Sequence, residues 1–348
     1  MVEWKKLGDV CEIKTGKGIT QKDCSDEYSY PVMSGGQTPM GMYFQFNREA
    51  NTTTISRVGA YAGFVSFVKE KFYCNDKCFS VIPKKQDVFD SRFLYVVLKH
   101  KEESIKKLQS EGGVPTINTK KLGNILIPIP FIEEQQRIAG ILDTFSFAID
   151  NLKEQIAQRR KQFEYYRDQL LDLEGKEGVE MKISDFCLLK AGKSISANEI
   201  LENRIGNVFP CIGGNGIRGY VSSYSHEGSY PVIGRQGALC GCVNWIAGKF
   251  YATEHAVVAT GKKNTDQRFL YYLFENADLN QYKTQGAQPG LSVAKLNEVK
   301  FLIPSLSEQQ RIVSILDTFE ASIQNLEAQL SQREKQYEYY RNKLLTFE

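Results

Sequence analysis

The feature that most constrains this fold is an internal repeat with an offset of 174 residues. Residues 134–145 read EQQRIAGILDTF, and residues 308–319 read EQQRIVSILDTF. Between 134–171 and 308–345, 24 of 38 positions are identical. Self-similarity at a fixed offset marks a duplicated structural unit, so the chain must fold as two related halves.

Fainter repeats lie upstream of each copy. ISRVGA at 55–60 matches IGRQGA at 233–238, KFY at 71–73 matches KFY at 249–251, and RFLY recurs at 92 and 268. The chain therefore comprises two variable globular regions, each followed by a near-identical segment. The near-identical segment must serve the same purpose twice, whereas the two globular regions can differ in what they do.

Each near-identical segment has the heptad spacing of a coiled-coil helix, with seam residues alternately four and three positions apart. The predicted seam residues are Ile138, Leu142, Phe145, Ile149, Leu152, Ile156, Arg159, Phe163, Tyr166 and Leu170, and Ile312, Leu316, Phe319, Ile323, Leu326, Leu330, Arg333, Tyr337, Tyr340 and Leu344. The seam arginine of each copy either fixes the pairing register or extends its head group into water. Two such helices in one chain most simply pack together, and a two-fold relation between the repeats makes them antiparallel.

The globular regions alternate short apolar runs with glycine-rich turns, which is typical of strands. Each also contains one helical pattern, predicted at 91–108 and at 266–276. The predicted fold class is therefore α+β. It consists of two pseudo-two-fold-related mixed α/β domains separated by two long antiparallel helices that form a coiled coil.

Composition limits the class of protein. Apolar residues make up 42% of the chain and charged residues 24%, with no run of 18 apolar residues. Without an apolar signal segment, we expect a cytoplasmic protein that does not contact membranes and keeps its eight cysteines reduced. The globular regions carry net charges of +5 and +3, and the near-identical segments −3 and −2. Basic globular regions fit a surface that faces a polyanion, but also ordinary surface variation.

The segments that resemble catalytic or metal-binding motifs lack the neighbouring residues that such sites require. The GNGIRG run at 214–219 is followed by a strand-like segment instead of the helix that a dinucleotide site requires. The GKS at 192–194 lacks the first glycine of a P-loop, since Cys187 stands there. With only three histidines and no partnered cysteine pairs, no metal site and no catalytic residues are predicted. We expect a chain that is not an enzyme.

Both EQQRIxxILDxF segments, both I-[SG]-R-x-G-A turns and the KFY strands together resemble the specificity (S) subunits of type I restriction–modification systems. The resemblance covers the whole chain. It implies a first target recognition domain at 1–131, a central conserved long helix at 132–174, a second target recognition domain at 175–305 and a distal conserved long helix at 306–348.

The resemblance implies a non-catalytic subunit that recognises double-stranded DNA. Each recognition domain reads one half of a bipartite target, and the helices set the spacing and dock two methyltransferase subunits. Two restriction subunits can also join. This chain then needs no cofactor of its own, because S-adenosylmethionine belongs to the methyltransferase and ATP with Mg to the restriction subunit. The alternatives are a specificity subunit of a type IIB-like methyltransferase–nuclease complex and a coiled-coil scaffold that does not bind DNA.

Candidate DNA-binding residues are polar side chains on predicted loops that can reach bases or phosphates. They are Lys14, Thr15, Lys17, Gln37, Thr38, Arg57, Tyr61 and Lys77 in the first domain, and Lys190, Lys193, Ser194, Asn215, Arg218, Tyr220, Arg235 and Gln236 in the second. Arg57 and Arg235 occupy equivalent turns and cannot explain different specificities, so a phosphate contact or a structural role is favoured. Gln37 corresponds to Asn215, and this difference favours base reading by that loop.

Overall fold

A computed structural model describes residues 2–206, 208–237, 239–284 and 290–347. Ala238, the last residue of the second IGRQGA turn, and the outer ends of the predicted domains, Met1 and Glu348, lie outside the described residues. The chain divides into two compact units. The first unit comprises Met1–Lys153 with Ala328–Glu348, and the second unit comprises Glu154–Glu327. Each unit thus combines one globular region with part of both long helices.

The globular region of the first unit precedes the first long helix, α5. Its elements are β1 (Glu3–Lys6), α1 (Leu7–Val10), β2 (Cys11–Thr15), a 3-10 turn (Gln21–Asp23), β3 (Tyr30–Met33), β4 (Met42–Tyr43), β5 (Thr52–Ser56), β6 (Val65–Val68), β7 (Tyr73–Cys74), β8 (Cys78–Pro83), α2 (Ser91–His100), α3 (Glu102–Lys106), α4 (Thr119–Gly123) and β9 (Leu126–Ile129). The long helix α5 (Ile132–Leu171) follows.

The globular region of the second unit precedes the second long helix, α9. Its elements are β10 (Val179–Lys182), α6 (Ile183–Phe186), β11 (Cys187–Ala191), a 3-10 turn (Ala197–Glu199), β12 (Phe209–Gly213), β13 (Gly216–Val221), β14 (His226–Gly234), β15 (Val243–Ala252), β16 (Ala256–Gly261), α7 (Gln267–Asn276), a 3-10 turn (Leu279–Tyr282), α8 (Val293–Asn297) and β17 (Lys300–Ile303). The long helix α9 (Leu306–Leu345) follows.

Three small sheets build the first globular region. An antiparallel sheet has the strand order β2-β8-β5-β6, a second sheet has the order β4-β3-β7 with β3 and β7 parallel, and β1 pairs with β9. Helix α2 packs on the first of these sheets, and Phe93, Leu94 and Val97 are buried there. All five residues of β5 are buried, so this strand lies at the centre of the core.

The second globular region repeats this plan with its strands joined into one six-stranded sheet, β11-β16-β14-β15-β12-β13. The parallel pair recurs as β12 and β15, and β10 pairs with β17 as β1 does with β9. Helix α7 covers this sheet with Phe269, Leu270 and Leu273 buried. Mixed sheets with one packed helix in each unit confirm the α+β class. Strand β13 begins inside the GNGIRG run and ends at Val221, so it lies earlier than the strand-like segment predicted after residue 219.

Helices α5 and α9 pair in opposite directions within each unit. In the first unit, Phe145 stacks on Tyr340 with ring centroids 5.3 Å apart, and the Lys153 ammonium lies 3.4 Å from the Glu334 carboxylate. In the second unit, Arg160 pairs with Glu327, and Tyr166 stacks on Phe319 at 5.3 Å. Contacts that advance along α5 recede along α9, which confirms the antiparallel coiled coil.

The charged seam position is explained by an aromatic partner. The guanidinium carbon of Arg333 lies 5.8 Å from the centroid of the Phe145 ring, and that of Arg159 lies 5.8 Å from the Phe319 ring. Attraction between a cation and a ring face stabilises the charge at the seam. Of the other predicted seam residues, Ile138, Leu142, Ile149, Ile156, Ile312 and Leu316 are buried, Tyr166 and Tyr340 are exposed, and the remainder are half-buried.

The single helix predicted at 91–108 is wrong, because the chain turns at Lys101 and continues as the separate helix α3. The turn brings the Glu102 carboxylate to the edge of the sheet, where it accepts a hydrogen bond from the Val65 amide at 2.9 Å. The same carboxylate lies 2.5 Å from the Lys99 ammonium. This hydrogen bond to a strand distant in sequence favours the break in the helix at Lys101. The residues around Lys101 therefore carry no local sequence signal that predicts the break. The helix predicted at 266–276 is confirmed, with Asp266 as its N-cap.

A buried glutamine in each EQQR motif attaches the start of the long helix to the globular region. Gln135 is fully buried. Its Oε1 accepts a hydrogen bond from the Asp90 amide at 2.9 Å, and its Nε2 donates to the carbonyls of Val88 and Pro130 at 2.9 and 2.8 Å. In the second unit, Gln309 makes the equivalent bonds to Asp266, Asn264 and Pro304.

A second attachment joins the aspartate of ILDTF to the arginine of RFLY. The Arg92 Nε donates to the two carboxylate oxygens of Asp143 at 2.7 and 2.9 Å, and the Arg268 Nε donates to Asp317 at 2.8 Å. Each guanidinium also lies over neighbouring rings, among them Tyr95 at 4.6 Å in the first unit. The repeated glutamine, aspartate and arginine thus attach each helix to its own globular region.

We expect Gln135→Leu to lower the free energy of unfolding by about 2–3 kcal/mol, because it leaves one amide and two carbonyls buried without partners. Gln136→Leu is the matched control: its side chain is exposed, so the change should stay within about 0.5 kcal/mol. Urea denaturation followed by circular dichroism measures both. Equal effects of the two variants would show that the buried amide does not hold the helix.

Candidate functional site

Three loops of the first unit meet at one end of its sheets. They are residues 34–41 after β3, 57–63 after β5 and 75–77 between β7 and β8, here called the first loop cluster. The Arg57 amide donates to the Lys77 carbonyl at 2.8 Å, and the Asn75 amide donates to the Met33 carbonyl at 2.9 Å. The Ser56 hydroxyl donates to the Gly36 carbonyl at 2.9 Å. Loops from distant parts of the sequence are thus fixed against one another by hydrogen bonds.

The second unit builds the same arrangement from residues 213–216, 234–237 and 253–255, here called the second loop cluster. The Arg235 amide donates to the His255 carbonyl at 3.0 Å, and the Thr253 amide donates to the Ile212 carbonyl at 2.9 Å. These bonds are equivalent to those of Arg57 and Asn75 in the first loop cluster. The two clusters therefore share one backbone frame.

A glycine is required where two loops of each cluster touch. A Cβ atom at Gly35 would lie 2.2 Å from the Val58 carbonyl oxygen, and one at Gly214 would lie 2.9 Å from the Gln236 carbonyl oxygen. Both distances are shorter than real Cβ contacts, so a side chain here would force the loops apart. The glycines of the GG and GNG turns therefore serve loop packing.

A fourth segment closes each cluster against the central arginine. The Ile117 amide donates to the Arg57 carbonyl at 2.9 Å, and the Leu291 amide donates to the Arg235 carbonyl at 2.8 Å. The backbone N–H and C=O of both arginines are thus occupied. The Arg57 side chain donates to the Asp76 carbonyl at 3.1 Å, whereas the Arg235 Nε is buried and has no partner among the described residues.

The first loop cluster contains five of the residues predicted to contact a ligand in this unit. They are Gln37, Thr38, Arg57, Tyr61 and Lys77, of which all but Arg57 are exposed. Lys14, Thr15 and Lys17 lie on β2 and the segment after it, and they are exposed. The Gly16 amide, between these residues, donates to the Asn75 carbonyl at 3.2 Å, so this segment borders the cluster.

The second loop cluster contains Asn215, Arg235 and Gln236 from the prediction, and Arg218 follows on β13 with an exposed side chain. Lys190 lies on β11, and the Lys193 amide donates to the Ala252 carbonyl at 3.0 Å, with Ser194 beside it. Tyr220 lies near the opposite end of β13 from the GNG turn. Its backbone pairs with Leu201 through two 2.8 Å hydrogen bonds, so it is not brought to the cluster.

Sequence reasoning missed four residues that follow directly after the KFY strands. Asn75 is buried and donates from its side chain to the Ile19 carbonyl at 2.9 Å, which makes it part of the frame. Asp76 is exposed beside Lys77, and Glu254 precedes His255 at the equivalent positions. Their position near a repeated motif could have identified them. Shortly after KFY, the first copy reads NDK at 75–77, whereas the second reads TEH at 253–255.

Two thiols at equivalent positions, at the start of β2 and of β11, are held in their neutral form. Burial raises the pKa of the Cys11 thiol to about 12, and burial does the same for Cys187 at the equivalent position. Both thiols therefore stay protonated at neutral pH, and a protonated thiol is neither a nucleophile nor a metal ligand. Within the described ranges, no group of three or more His, Cys, Asp or Glu side chains is arranged to hold a metal ion. The loop clusters offer hydrogen-bonding side chains and positive charge.

Of the helices in the part of the chain that the structure describes, none is both long and apolar enough to cross a membrane.

Comparison with known proteins identifies this architecture. The family model for the type I restriction modification DNA specificity domain matches residues 1–159 and again residues 176–334. The specificity subunit of the type I restriction enzyme EcoprrI from Escherichia coli is 37% identical over 257 residues, which cover 70% of this chain and 64% of that protein. The alignment thus spans less than two thirds of that relative.

Two further proteins match over nearly the whole chain. A Mycoplasma pneumoniae protein assigned as a type I specificity subunit is 25% identical over 97% of this chain and 96% of its own length. The crystal structure of a type I restriction–modification S subunit from M. genitalium aligns with a TM-score of 0.77 and 20% identity, covering 100% of this chain and 97% of that chain. The similarity in structure extends over both units. Since the family model matches most of the chain in two copies, the predicted resemblance is confirmed: the chain belongs to the family of type I restriction–modification specificity subunits, which are non-catalytic DNA-recognition subunits.

Proposed function

We propose that this chain is the DNA-recognition subunit of a type I restriction–modification complex, in which each loop cluster reads one half of a bipartite target. The proposal rests on the observation that the two loop clusters share one backbone frame but present different side chains. Lys77 of the first cluster is replaced by His255 in the second, and the loop after β3 carries Gln37 and Thr38 whereas the loop after β12 carries Asn215. Two readers with the same frame and different hydrogen-bonding groups suit an asymmetric sequence.

The proposal divides the candidate residues by their task. The backbones of Arg57 and Arg235 belong to the frame, and lysines at the edges of the clusters contact phosphates. Phosphate contacts supply affinity and register without sequence information, so they can be the same in both units. Side chains that differ between the clusters then read base edges in the major groove.

The same proposal assigns the partners and cofactors to other chains. Two methyltransferase subunits dock on the paired helices, where Phe147, Tyr165 and Tyr339 are exposed. Large exposed apolar side chains on a helix surface are typical of interaction sites. In this proposal S-adenosylmethionine is bound by the methyltransferase, ATP and Mg by the restriction subunits that can join, and the complex acts on DNA in the cytoplasm.

A domain exchange tests independent reading by the two units. We expect replacement of residues 1–131 by the recognition domain of another family member to change one half of the methylated motif and leave the other unchanged. The donor domain should carry an arginine at the Arg92 position, because that side chain binds Asp143 of the retained helix. Single-molecule methylation mapping in cells that also express the methyltransferase gives the motif.

The reciprocal exchange of residues 175–305 is the matched control and should change only the other half. If either exchange altered both halves, the two loop clusters would not read DNA independently. A chain that acts only as a scaffold would give no methylation motif that depends on its sequence.

A second test concerns the spacing between the two halves of the target. One heptad inserted into each helix at opposed positions, after Ile156 and after Ala328, preserves the seam and adds about 10.5 Å. At about 3.4 Å per base pair, we expect the gap in the methylated motif to grow by up to about three base pairs. An insertion of four residues instead should break the seam and abolish methylation. Methylation mapping decides, and an unchanged gap with full activity would show that the helices do not set the distance.

A further inference from the structure

Each loop cluster carries one carboxylate at the same position. Asp76 lies next to Lys77, whose carbonyl accepts from the Arg57 amide, and Glu254 lies next to His255, whose carbonyl accepts from the Arg235 amide. On the other side, Asn75 and Thr253 donate equivalent hydrogen bonds to β3 and β12. Backbone bonds on both sides therefore fix the equivalence of the two acids.

Glu254 is part of a group with unmet hydrogen-bonding capacity. Its Oε1 lies 3.3 Å from the His255 Nε2, while its Oε2 is buried without a partner among the described residues. The His255 Nδ1 and the Arg235 Nε are also buried without partners in the described part of the chain. Buried polar atoms are nearly always hydrogen-bonded, so the described residues alone do not complete the hydrogen bonding of this polar group.

Asp76 presents the same chemistry in a more open setting. Its side chain is exposed, and its backbone carbonyl, not its carboxylate, is the group that accepts from Arg57. Asp76 lies beside Lys77 and Glu254 beside His255, in globular regions of net positive charge. A carboxylate on a surface that faces phosphates weakens binding through repulsion, so affinity does not explain why both clusters carry one.

DNA offers a carboxylate few favourable partners. A carboxylate only accepts hydrogen bonds, and the donors exposed in the major groove are the amino groups of cytosine N4 and adenine N6. Guanine and thymine present acceptors there, which repel the same carboxylate. An acid in a reading loop therefore discriminates between bases while adding nothing to nonspecific affinity.

We propose, on the basis of the function proposed above, that Glu254 and Asp76 are specificity-determining residues. Each accepts a hydrogen bond from the exocyclic amino group of a cytosine or adenine in its half of the target. The Glu254 side chain is 40% exposed beside His255, so the amino group of a base can approach the acid from solvent.

The test uses the complex assembled with its methyltransferase subunits and duplex pools in which each half of the target is randomised separately. Glu254→Gln should lose discrimination at one base pair of the half read by the second unit, by about 5- to 100-fold. The half read by the first unit should keep its preference. Binding to unrelated duplex should tighten at low salt, because a negative charge has been removed.

Asp76→Asn is the reciprocal variant and should relax one base pair in the other half only. Glu227→Gln is the control for charge, since this exposed acid pairs with Lys249 at the opposite end of β14 from the cluster. It should leave discrimination unchanged in both halves. Together these variants separate the loss of a base contact from the loss of a charge.

The proposal is overturned if Glu254→Gln changes affinity for all sequences equally, since the acid then acts through charge alone. It is also overturned if preference is lost in both halves, which indicates a disturbed fold. A wild-type complex that binds every duplex equally would instead contradict the proposed function itself. Relaxation at one base pair in one half is the single outcome that supports base reading by the acid.

Discussion

The buried amide of Gln135, and of Gln309 in the second unit, fixes where each 40-residue helix begins relative to its own globular region. An amide has separate donor and acceptor ends, so it is satisfied in one orientation. Both ends are occupied by backbone groups from the loop before the packed helix and from the proline before the long helix. The helix pairing and the loop clusters depend on this attachment, because each long helix also contributes side chains such as Ile138 and Leu142 to the core of its globular region.

This attachment explains why the two copies diverge so unevenly. The EQQR and ILDTF residues face the same partners in each unit, and Phe145 and Phe319 each stack on a tyrosine of the opposing helix and lie under an arginine. A substitution at Gln135, Asp143 or Phe145 therefore disturbs a buried amide, an ion pair or an aromatic stack. The surroundings allow small differences: Arg268 also contacts Glu320, where the first copy has Ser146.

The sequence predicted what depends on local spacing. The antiparallel pairing of the long helices, the α+β class and the family follow from residues three, four or 174 positions apart, and each is confirmed. The break at Lys101 and the ion pair between Arg92 and Asp143 depend on contacts 37 and 51 residues apart, and nothing near those residues signals them. The candidate site was predicted in part for the same reason. Arg57 and Gln37 lie in recognisable turns, but only the folded sheets show that the residues after the KFY strands lie beside them.

In each loop cluster, the backbone hydrogen bonds that form the frame are distinct from the side chains that project from it. Their hydrogen bonds join backbone amides to backbone carbonyls, as between Arg57 and Lys77 and between Arg235 and His255, so the frame is indifferent to side-chain identity. The glycines at the loop contact, the Ser56 hydroxyl and the buried bridge at Asn75 constrain the sequence of the described loops. A lysine can therefore replace a histidine, as Lys77 and His255 show, without disturbing the position from which the side chain projects. Because the frame tolerates such exchanges, the two units can acquire different hydrogen-bonding surfaces while the helices that join them stay nearly identical.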